Sequence, residues 1–344
     1  MKKKILFIGD WPDNFKNILV LQALLDKDYS DNFEWTVWSC KKKENNKLLY
    51  RWYCYAKGAF YAIKRRKGYD AIFIWQQMIA YILFEILRII PLKVPKVVLS
   101  TYINDSNIIF RNFRKHLLQN ALKMSEAVIW PSLEMLNEVR KEYPEFEHKN
   151  HFALMPIFDI IDLSLPVDKE LDDPYFRNGV YTAGMSERDF DIVIRAFRNT
   201  EIPVTIVCPD GYPITETNIT KNIRILRFSQ VPHAQYYALA GQAFCILISV
   251  TSEKSPCGLI LIAFAMANSI PVIVTYSYGV KEFIVNGVNG ILFKLGKEDE
   301  ILKGYERLKN DEAFRMEVIR NAKNTAKEMS PGNFIEKIIK ILEN

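Results

Sequence analysis

The stretch that decides the fold runs from Ile246 to Phe293 and reads ILISVTSEKSPCGLILIAFAMANSIPVIVTYSYGVKEFIVNGVNGILF. An apolar run from Cys245 to Val250 predicts a buried strand. Pro256 then stands in the first turn of a predicted apolar helix, which ends at Asn268-Ser269. A second strand is predicted from Pro271 to Thr275. Strand, helix and strand in this order predict a βαβ unit with parallel strands.

The loop of this unit places a helix N-terminus at the carboxyl end of a parallel strand. Free N–H groups and the helix dipole favour an anion there, and open α/β sheets bind ligands at this edge. We expect the loop to hold the diphosphate of a nucleotide-linked substrate, through Ser255, Pro256, Cys257, Gly258 and Leu259. A plain capped helix N-terminus is the alternative. A nucleophilic role for Cys257 is disfavoured, since no His or other base partner is evident.

The order of short motifs after this loop resembles a known family. The motifs are P-x-G-L, A-M-A, P-V-I-V-T, G-V-K-E-F-I-V-N-G and N-G-I-L-F. They are similar to the donor-binding half of GT-B glycosyltransferases, and most of all to the large retaining family (family four) that builds bacterial polysaccharides and glycolipids. The resemblance spans most of residues 178–330. It implies a metal-independent glycosyltransferase that uses a nucleotide sugar, expected to be UDP-linked, and no resident cofactor.

The segment after Val180–Ala183 is similar to the family segment whose arginine and lysine grip the donor diphosphate. Arg188 falls at the lysine position and Met185 at the arginine position. The resemblance therefore implies that Gly184, Ser186 and Arg188 bind the donor, and that Arg188 also stabilises the leaving diphosphate. The alternative for Arg188 is a surface arginine paired with Glu187 or Asp191.

Two further positions follow from the same resemblance. The segment that starts at Val231 is expected to lie near the nucleotide base. Glu282 matches a family glutamate, and it equally suits the cap of a short helix. The chain departs from the family at Ser255 and Ala263, where two glutamates separated by seven residues are usual. A catalytically degenerate protein that acts as a binding or scaffold subunit is therefore the alternative function.

The length of 344 residues favours two domains, and strands alternate with helices along the chain. We predict two doubly wound Rossmann-like α/β domains that face a cleft, the GT-B architecture. Residues 1–150 form the acceptor-side domain, residues 151–177 a proline-rich and acidic linker, and residues 178–330 the donor domain. By resemblance, a last helix over residues 331–344 packs back on the first domain.

The first domain is expected to supply the acceptor side. Its loops at Gly9–Asp13 and Thr101–Asp105 follow predicted strands, and Asp105 is a candidate catalytic residue that contacts acceptor or sugar; capping a turn is its alternative role. A dinucleotide-dependent oxidoreductase is disfavoured, because no G-x-G-x-x-G follows the first strand. The expected acceptor is a saccharide or a lipid-linked saccharide.

Charge and aromatic content single out one predicted helix. The net charge is +6, and the excess lies in residues 1–150. Within Lys47–Lys67, aromatic side chains interleave with lysines and arginines. This pattern is typical of a core helix with a solvated basic face, or of a helix that contacts an anionic membrane surface. Nucleic-acid binding is disfavoured because no recognised motif accompanies the helix.

The remaining composition argues for an ordinary soluble protein of the cytoplasm, peripheral at most on the inner face of the plasma membrane. The five cysteines lie far apart without metal-ligand spacing, as in a reduced compartment, and no metal site is expected. The run Ile5–Ile8 is too short for a signal peptide, and Met78–Pro91 is too short for a membrane span.

Overall fold

The fold is described from a computed structural model for residues 2–9, 32–40, 48–101, 111–154, 156 and 165–343. These residues form two compact units. The first contains the chain up to Leu154 together with the segment from Pro331 onward, and the second contains residues 165–330. Among the described residues, no helix combines the length and the apolar content needed to cross a bilayer.

The first unit is built on a six-stranded parallel sheet in the order β2-β1-β3-β4-β5-β6. Its strands are β1 (Lys3–Gly9), β2 (Phe33–Ser39), β3 (Ala71–Ile74), β4 (Lys96–Ser100), β5 (Ala127–Trp130) and β6 (Asn150–Phe152). The central strands are continuous apolar runs, as expected for a sheet that is covered on both faces. The indole N–H of Trp130 donates to Asn150 Oδ1 at 2.7 Å and ties β5 to β6.

Helices alternate with these strands in the described parts of the first unit. They are α1 (Leu48–Arg65), α2 (Gln77–Ile89), α3 (Arg111–Met124) and α4 (Leu133–Glu142), and the last helix of the chain, α10 (Pro331–Glu343), belongs to the same unit. On α10, the ring of Phe334 packs edge-on against Phe73 and Trp75, with centroids 6.4 and 5.4 Å away. This aromatic contact fixes the C-terminal helix on the first sheet.

The second unit is built on another six-stranded parallel sheet, in the order β12-β11-β10-β7-β8-β9. Its strands are β7 (Val180–Ala183), β8 (Val204–Cys208), β9 (Ile223–Arg227), β10 (Cys245–Ile248), β11 (Val272–Thr275) and β12 (Ile291–Phe293). Its helices are α5 (Phe190–Phe197), α6 (His233–Gly241), α7 (Leu259–Ala267), α8 (Glu298–Asn310) and α9 (Glu312–Glu328). The prediction of two doubly wound parallel sheets is confirmed.

The structure differs from the sequence expectations at two places. Pro256 does not lie in the first turn of a helix: α7 begins only at Leu259, because Gly258 adopts a left-handed conformation with φ of 101° and serves as the N-cap. Part of the predicted linker is built into the second unit, where the Gln235 side chain accepts from the Asp168 N–H at 2.8 Å.

Candidate functional site

The order in which strands are added to the second sheet reverses between β7 and β10. The chain moves outward from β7 to β9, then returns to β10 beside β7 and moves outward the other way to β12. In such sheets, ligands bind at the carboxyl ends of the two strands that flank this switch point. The turn Gly184–Arg188 follows β7, and the turn Ser255–Gly258 follows β10. These two turns define the candidate site.

The side chain of Arg188 lies between two glycines, one from each turn. Its Nε donates to the carbonyl of Ala183 at 3.1 Å. A Cβ atom added at Gly184 would lie 2.3 Å from Nε, and one added at Gly258 would lie 3.0 Å from Nη1. Both glycines also have positive φ, of 152° and 101°. Glycine is therefore required at both positions for the guanidinium to occupy this place.

Arg188 is a buried cation with unused hydrogen-bonding capacity. Only 6% of the residue is exposed, and burial lowers the pKa of its guanidinium. Its buried Nη1 has no hydrogen-bond acceptor among the residues that the structure describes. A buried donor and an unpaired buried charge are both costly. A bound anion at this point would remove both costs, and guanidinium suits phosphate because of its fixed fork of donors.

The backbone around Arg188 is held in place by Tyr212. The Tyr212 hydroxyl accepts from the Arg188 N–H at 2.9 Å and donates to the Arg188 carbonyl at 2.7 Å. Burial raises the pKa of Tyr212, which keeps the hydroxyl protonated and able to donate. One residue on, the Asp189 N–H donates to the Ser249 carbonyl at 3.2 Å. The turn is thus bonded to β8's loop on one side and to the end of β10 on the other.

The Ser255–Gly258 turn leads into α7. Ser255 is buried, and its Oγ accepts from the Cys257 N–H at 3.3 Å. Burial raises the pKa of the Cys257 thiol, which disfavours a thiolate nucleophile. Leu259 begins the helix and is buried beneath the turn. The first N–H groups of such a helix have no intrahelical acceptor, so they add to the attraction for an anion.

The structure brings Gly184, Arg188 and Gly258 into contact. Ser186 is exposed on the same turn as Arg188. Val231 lies buried just before α6, beyond the end of β9. Glu282 is half-buried in the turn that follows β11.

Other expectations fall outside this description or are corrected by it. Asp105 lies outside the described residues, as does most of the acceptor loop that contains it. The alternative of a surface arginine is wrong for Arg188, which is buried. Asp191 instead accepts from the backbone N–H groups of Thr215 and Glu216, at 2.9 and 3.0 Å.

Sequence reasoning missed Tyr212 and Glu187 as parts of this site. Tyr212 lies 24 residues beyond Arg188, and no local sequence pattern indicates that its hydroxyl bonds to the Arg188 backbone. Glu187 has a left-handed backbone with φ of 52°, and its Oε2 lies 3.9 Å from Cys257 Sγ. Among the described residues, no group of three or more His, Cys, Asp or Glu side chains is placed to hold a metal ion.

Comparison with known proteins bears on the fold of the chain. Residues 190–325 match the family profile of glycosyl transferases group 1. No curated protein matches the chain. Solved structures of glycosyltransferases match over almost the whole chain, and the two-unit fold is therefore the GT-B fold. The profile match lies within the second unit.

Three solved structures illustrate the similarity. Anabaena HepE in complex with UDP-glucose has 17% identity and a TM-score of 0.69, with 99% of each chain covered. Sucrose-phosphate synthase from Thermosynechococcus elongatus has 12% identity and a TM-score of 0.68, covering 99% of this chain and 98% of that chain. The lipopolysaccharide outer core galactosyltransferase WaaB has 13% identity and a TM-score of 0.63, with 99% of each chain covered.

Proposed function

We propose that this protein is a glycosyltransferase that moves a sugar from a UDP-linked donor to a saccharide or lipid-linked saccharide, in polysaccharide or glycolipid synthesis. The observation that carries the proposal is the buried Arg188 guanidinium at the sheet's switch point, whose Nη1 has no hydrogen-bond partner among the described residues. That site lies at the edge of the segment that matches the group 1 family. The complex of HepE with UDP-glucose supports UDP as the nucleotide.

The proposed chemistry uses the site's positive potential. When the glycosyl bond breaks, the leaving diphosphate gains negative charge. Arg188 and the N-terminus of α7 supply a preorganised cation and N–H dipoles, which stabilise that charge more in the transition state than in the bound substrate. We propose that these groups do so without a metal ion or resident cofactor, and that the anomeric configuration is retained.

The first experiment is a thermal-shift panel of UDP, GDP, ADP and their common sugar conjugates. A ligand present at about 100 times its dissociation constant should stabilise the folded protein by about 2.7 kcal/mol. We expect the UDP series to raise the Tm of the wild type. Arg188→Ala should lose this shift, because loss of a charged hydrogen-bond donor costs about 1.5–3 kcal/mol, or roughly ten- to a hundredfold in affinity.

Two control variants make this result specific. Arg188→Lys keeps the charge but not the fork, and should bind UDP with intermediate affinity. Arg320→Ala removes an exposed arginine that pairs with Glu317, and should bind like the wild type. An undiminished UDP shift in Arg188→Ala would contradict the donor site proposed here.

Transfer itself is tested with the nucleotide sugar that gives the largest shift. Proton NMR of the product should show the donor's anomeric configuration, and activity should survive EDTA. An inverted product would contradict the retaining mechanism, and complete loss in EDTA that added metal restores would contradict metal independence.

A binding or scaffold subunit is the second candidate function. Ser255 and Ala263 stand where the resembled family has glutamates, and both are buried. Met185, at the position of the second cation, is exposed. Tight UDP-sugar binding without hydrolysis or transfer to any acceptor would favour this function over an enzyme.

We also propose that the first unit rests on an anionic membrane surface through α1. Leu49, Trp52, Tyr53 and Phe60 are exposed on this helix, with Leu49 82% and Phe60 59% exposed. The helical spacing places Leu49, Tyr53 and Phe60 on the side opposite the buried Gly58 and Ala62, with Trp52 at the edge of that side. An exposed apolar stripe of this size is unusual on a helix that faces only water.

The charges of α1 favour lipid over another apolar partner. Lys57, Lys64 and Arg65 are exposed along the same helix, and no Asp or Glu occurs between Leu48 and Tyr69. Aromatic side chains flanked by lysine and arginine are typical of helices that lie in the membrane interface. This contact would place the protein in the cytoplasm, on the inner face of the plasma membrane.

Flotation with vesicles tests this contact. Wild-type protein should bind vesicles of phosphatidylglycerol and phosphatidylcholine more tightly than phosphatidylcholine alone, and less so at high salt. Each cation near such a surface contributes about 1 kcal/mol, so a triple variant with Lys57→Glu, Lys64→Glu and Arg65→Glu should lose more than about a hundredfold.

The matched control reverses three exposed cations of the second unit, through Lys221→Glu, Arg320→Glu and Lys323→Glu. This variant has the same net charge as the α1 variant and should bind vesicles like the wild type. An equal loss of vesicle binding in both variants would mean that binding depends only on overall charge, and would contradict a role for α1.

A further inference from the structure

The backbone of Glu187 is strained and held in place from both sides. Its φ of 52° lies in the left-handed region, which costs a residue with a side chain more than glycine. The Glu187 carbonyl accepts from the Thr251 N–H at 3.0 Å, and the next N–H, that of Arg188, donates to the Tyr212 hydroxyl at 2.9 Å. A glycine would be less strained at this position.

The Glu187 carboxylate lies at the junction of the two turns of the candidate site. Its Oε2 lies 3.9 Å from Cys257 Sγ, on the turn that precedes α7. That long thiol contact is the only side-chain hydrogen bond that the carboxylate makes among the described residues. An ionised carboxylate offers about four acceptor positions, so most of its capacity remains for a ligand.

A carboxylate at this place opposes the binding of a diphosphate. Its negative charge partly offsets the positive charge of Arg188, and it would repel a phosphate held there. A carboxylate next to an anion site can, however, bind hydrogen-bond donors in the neutral part of the ligand. In a nucleotide sugar, that part consists of hydroxyl groups on either side of the diphosphate, and hydroxyls donate strongly to carboxylates.

We propose that Glu187 accepts a hydrogen bond from a sugar hydroxyl of the bound nucleotide sugar, on the transferred sugar or on the ribose. This proposal rests on the function proposed above. Ser255 and Ala263 carry no carboxylate, so neither can be a charged acceptor for this hydroxyl. Glu187 would thus supply this site with a carboxylate from the opposite turn.

The experiment compares Glu187→Gln with the wild type by titration calorimetry, using pyrophosphate, UDP and UDP-glucose. Loss of the negative charge should leave pyrophosphate binding unchanged or tighter, because repulsion is removed. UDP-glucose should bind about ten- to a hundredfold more weakly, since a charge-assisted hydrogen bond is lost. These opposite signs separate a hydroxyl acceptor from a bystander charge.

The UDP measurement tells the two hydroxyl sources apart. Weaker UDP-glucose with unchanged UDP assigns the bond to the transferred sugar, and equal weakening of both assigns it to the ribose. Weakening of all three ligands would overturn the proposal, because Glu187 would then act only by supporting Arg188. Unchanged or tighter binding of all three would overturn it as well.

Controls separate this proposal from the proposed function and from misfolding. Binding of UDP-glucose by the wild type tests the proposed function alone, and its absence would end both proposals. Glu187→Gly relieves the positive φ, so it should melt no lower than the wild type and still lose the same UDP-glucose affinity. Glu201→Gln removes an exposed carboxylate of the same unit and should leave all three affinities unchanged.

Discussion

Arg188 in the second unit and the cations of α1 in the first unit carry the same charge in opposite surroundings. Arg188 is 6% exposed and has its Nε bonded to a carbonyl, whereas Lys57, Lys64 and Arg65 extend into solvent. A buried guanidinium acts at one point and with one geometry. Exposed cations act together as a field that salt screens. The first arrangement suits a single phosphate group, and the second suits an extended charged surface.

The apolar side chains differ in the same way. Helix α7 is apolar along its length and buries nearly every residue beneath the Ser255–Gly258 turn. Helix α1 buries only one face and exposes Trp52 and Phe60 on the other. Rigid packing positions the candidate donor site, while α1 leaves apolar surface free for a partner.

The largest expected effect is that of Gly184→Ala. The new Cβ would lie 2.3 Å from Arg188 Nε, and φ of 152° is unfavourable for alanine. We expect a loss of about 1–3 kcal/mol in the free energy of unfolding, and loss of UDP binding as the guanidinium is displaced. Urea unfolding and calorimetry measure the two effects.

Gly58→Ala on α1 is the matched comparison. Its Cβ would lie 3.0 Å from Ile79 Cδ1 and Cγ2 and 3.1 Å from the Trp38 ring, and its backbone is helical, where alanine is favoured by about 1 kcal/mol. UDP binding should be unchanged. If both variants lost UDP binding equally, the site's dependence on the Gly184 position would be contradicted.

A smaller effect is expected for Tyr212→Phe. The substitution leaves the buried Arg188 N–H without its acceptor, at a cost of about 1–2 kcal/mol in unfolding free energy. UDP affinity should fall severalfold, because the turn that carries Arg188 loosens. Tyr175→Phe, which removes an exposed hydroxyl of the same unit, should change neither quantity. Unchanged affinity in Tyr212→Phe would show that β10 alone holds the turn.

His151 of β6 is half-buried, and its contribution to the stability of the fold depends on pH. Burial, and then the charges of Lys337 and Arg140, lower the pKa of His151. In the unfolded chain the pKa of His151 has its ordinary value of about 6.5, so below that pH the unfolded chain binds a proton more readily than the folded protein. The contribution of neutral His151 to stability is therefore complete above that pH and is lost as the pH falls through the lower pKa of the folded state. The Tm difference between about pH 7.5 and about pH 5.5 should shrink in His151→Gln but not in exposed His148→Gln.

The smallest stability effect is expected on α1. Trp52→Ala and Phe60→Ala remove exposed side chains and should change the unfolding free energy by no more than about 0.5 kcal/mol. Vesicle binding should nevertheless weaken, because these rings would insert into the interface. A large loss of stability would mean that the rings pack within the protein and would contradict the membrane contact.

Most of the secondary structure could be predicted because its signals are local. Apolar runs such as Val204–Cys208 form strands, and a serine just before a helix serves as its N-cap, as Ser132 does for α4 by accepting from the Met135 N–H. The start of α7 was misplaced because proline is compatible with a first turn, whereas the left-handed φ of Gly258 depends on its contacts with Arg188 and Ile248.

The sequence by itself determined the α/β class, the two parallel sheets and Arg188 as the candidate cation, since these follow from periodicity and motif order. Only the tertiary structure decided that Arg188 is buried, that Tyr212 clasps its backbone and that Glu187 meets Cys257. The physical reason is strand order. Glu187 and Cys257 lie 70 residues apart in the chain. They meet because β7 and β10 are neighbours at the point where the strand order reverses.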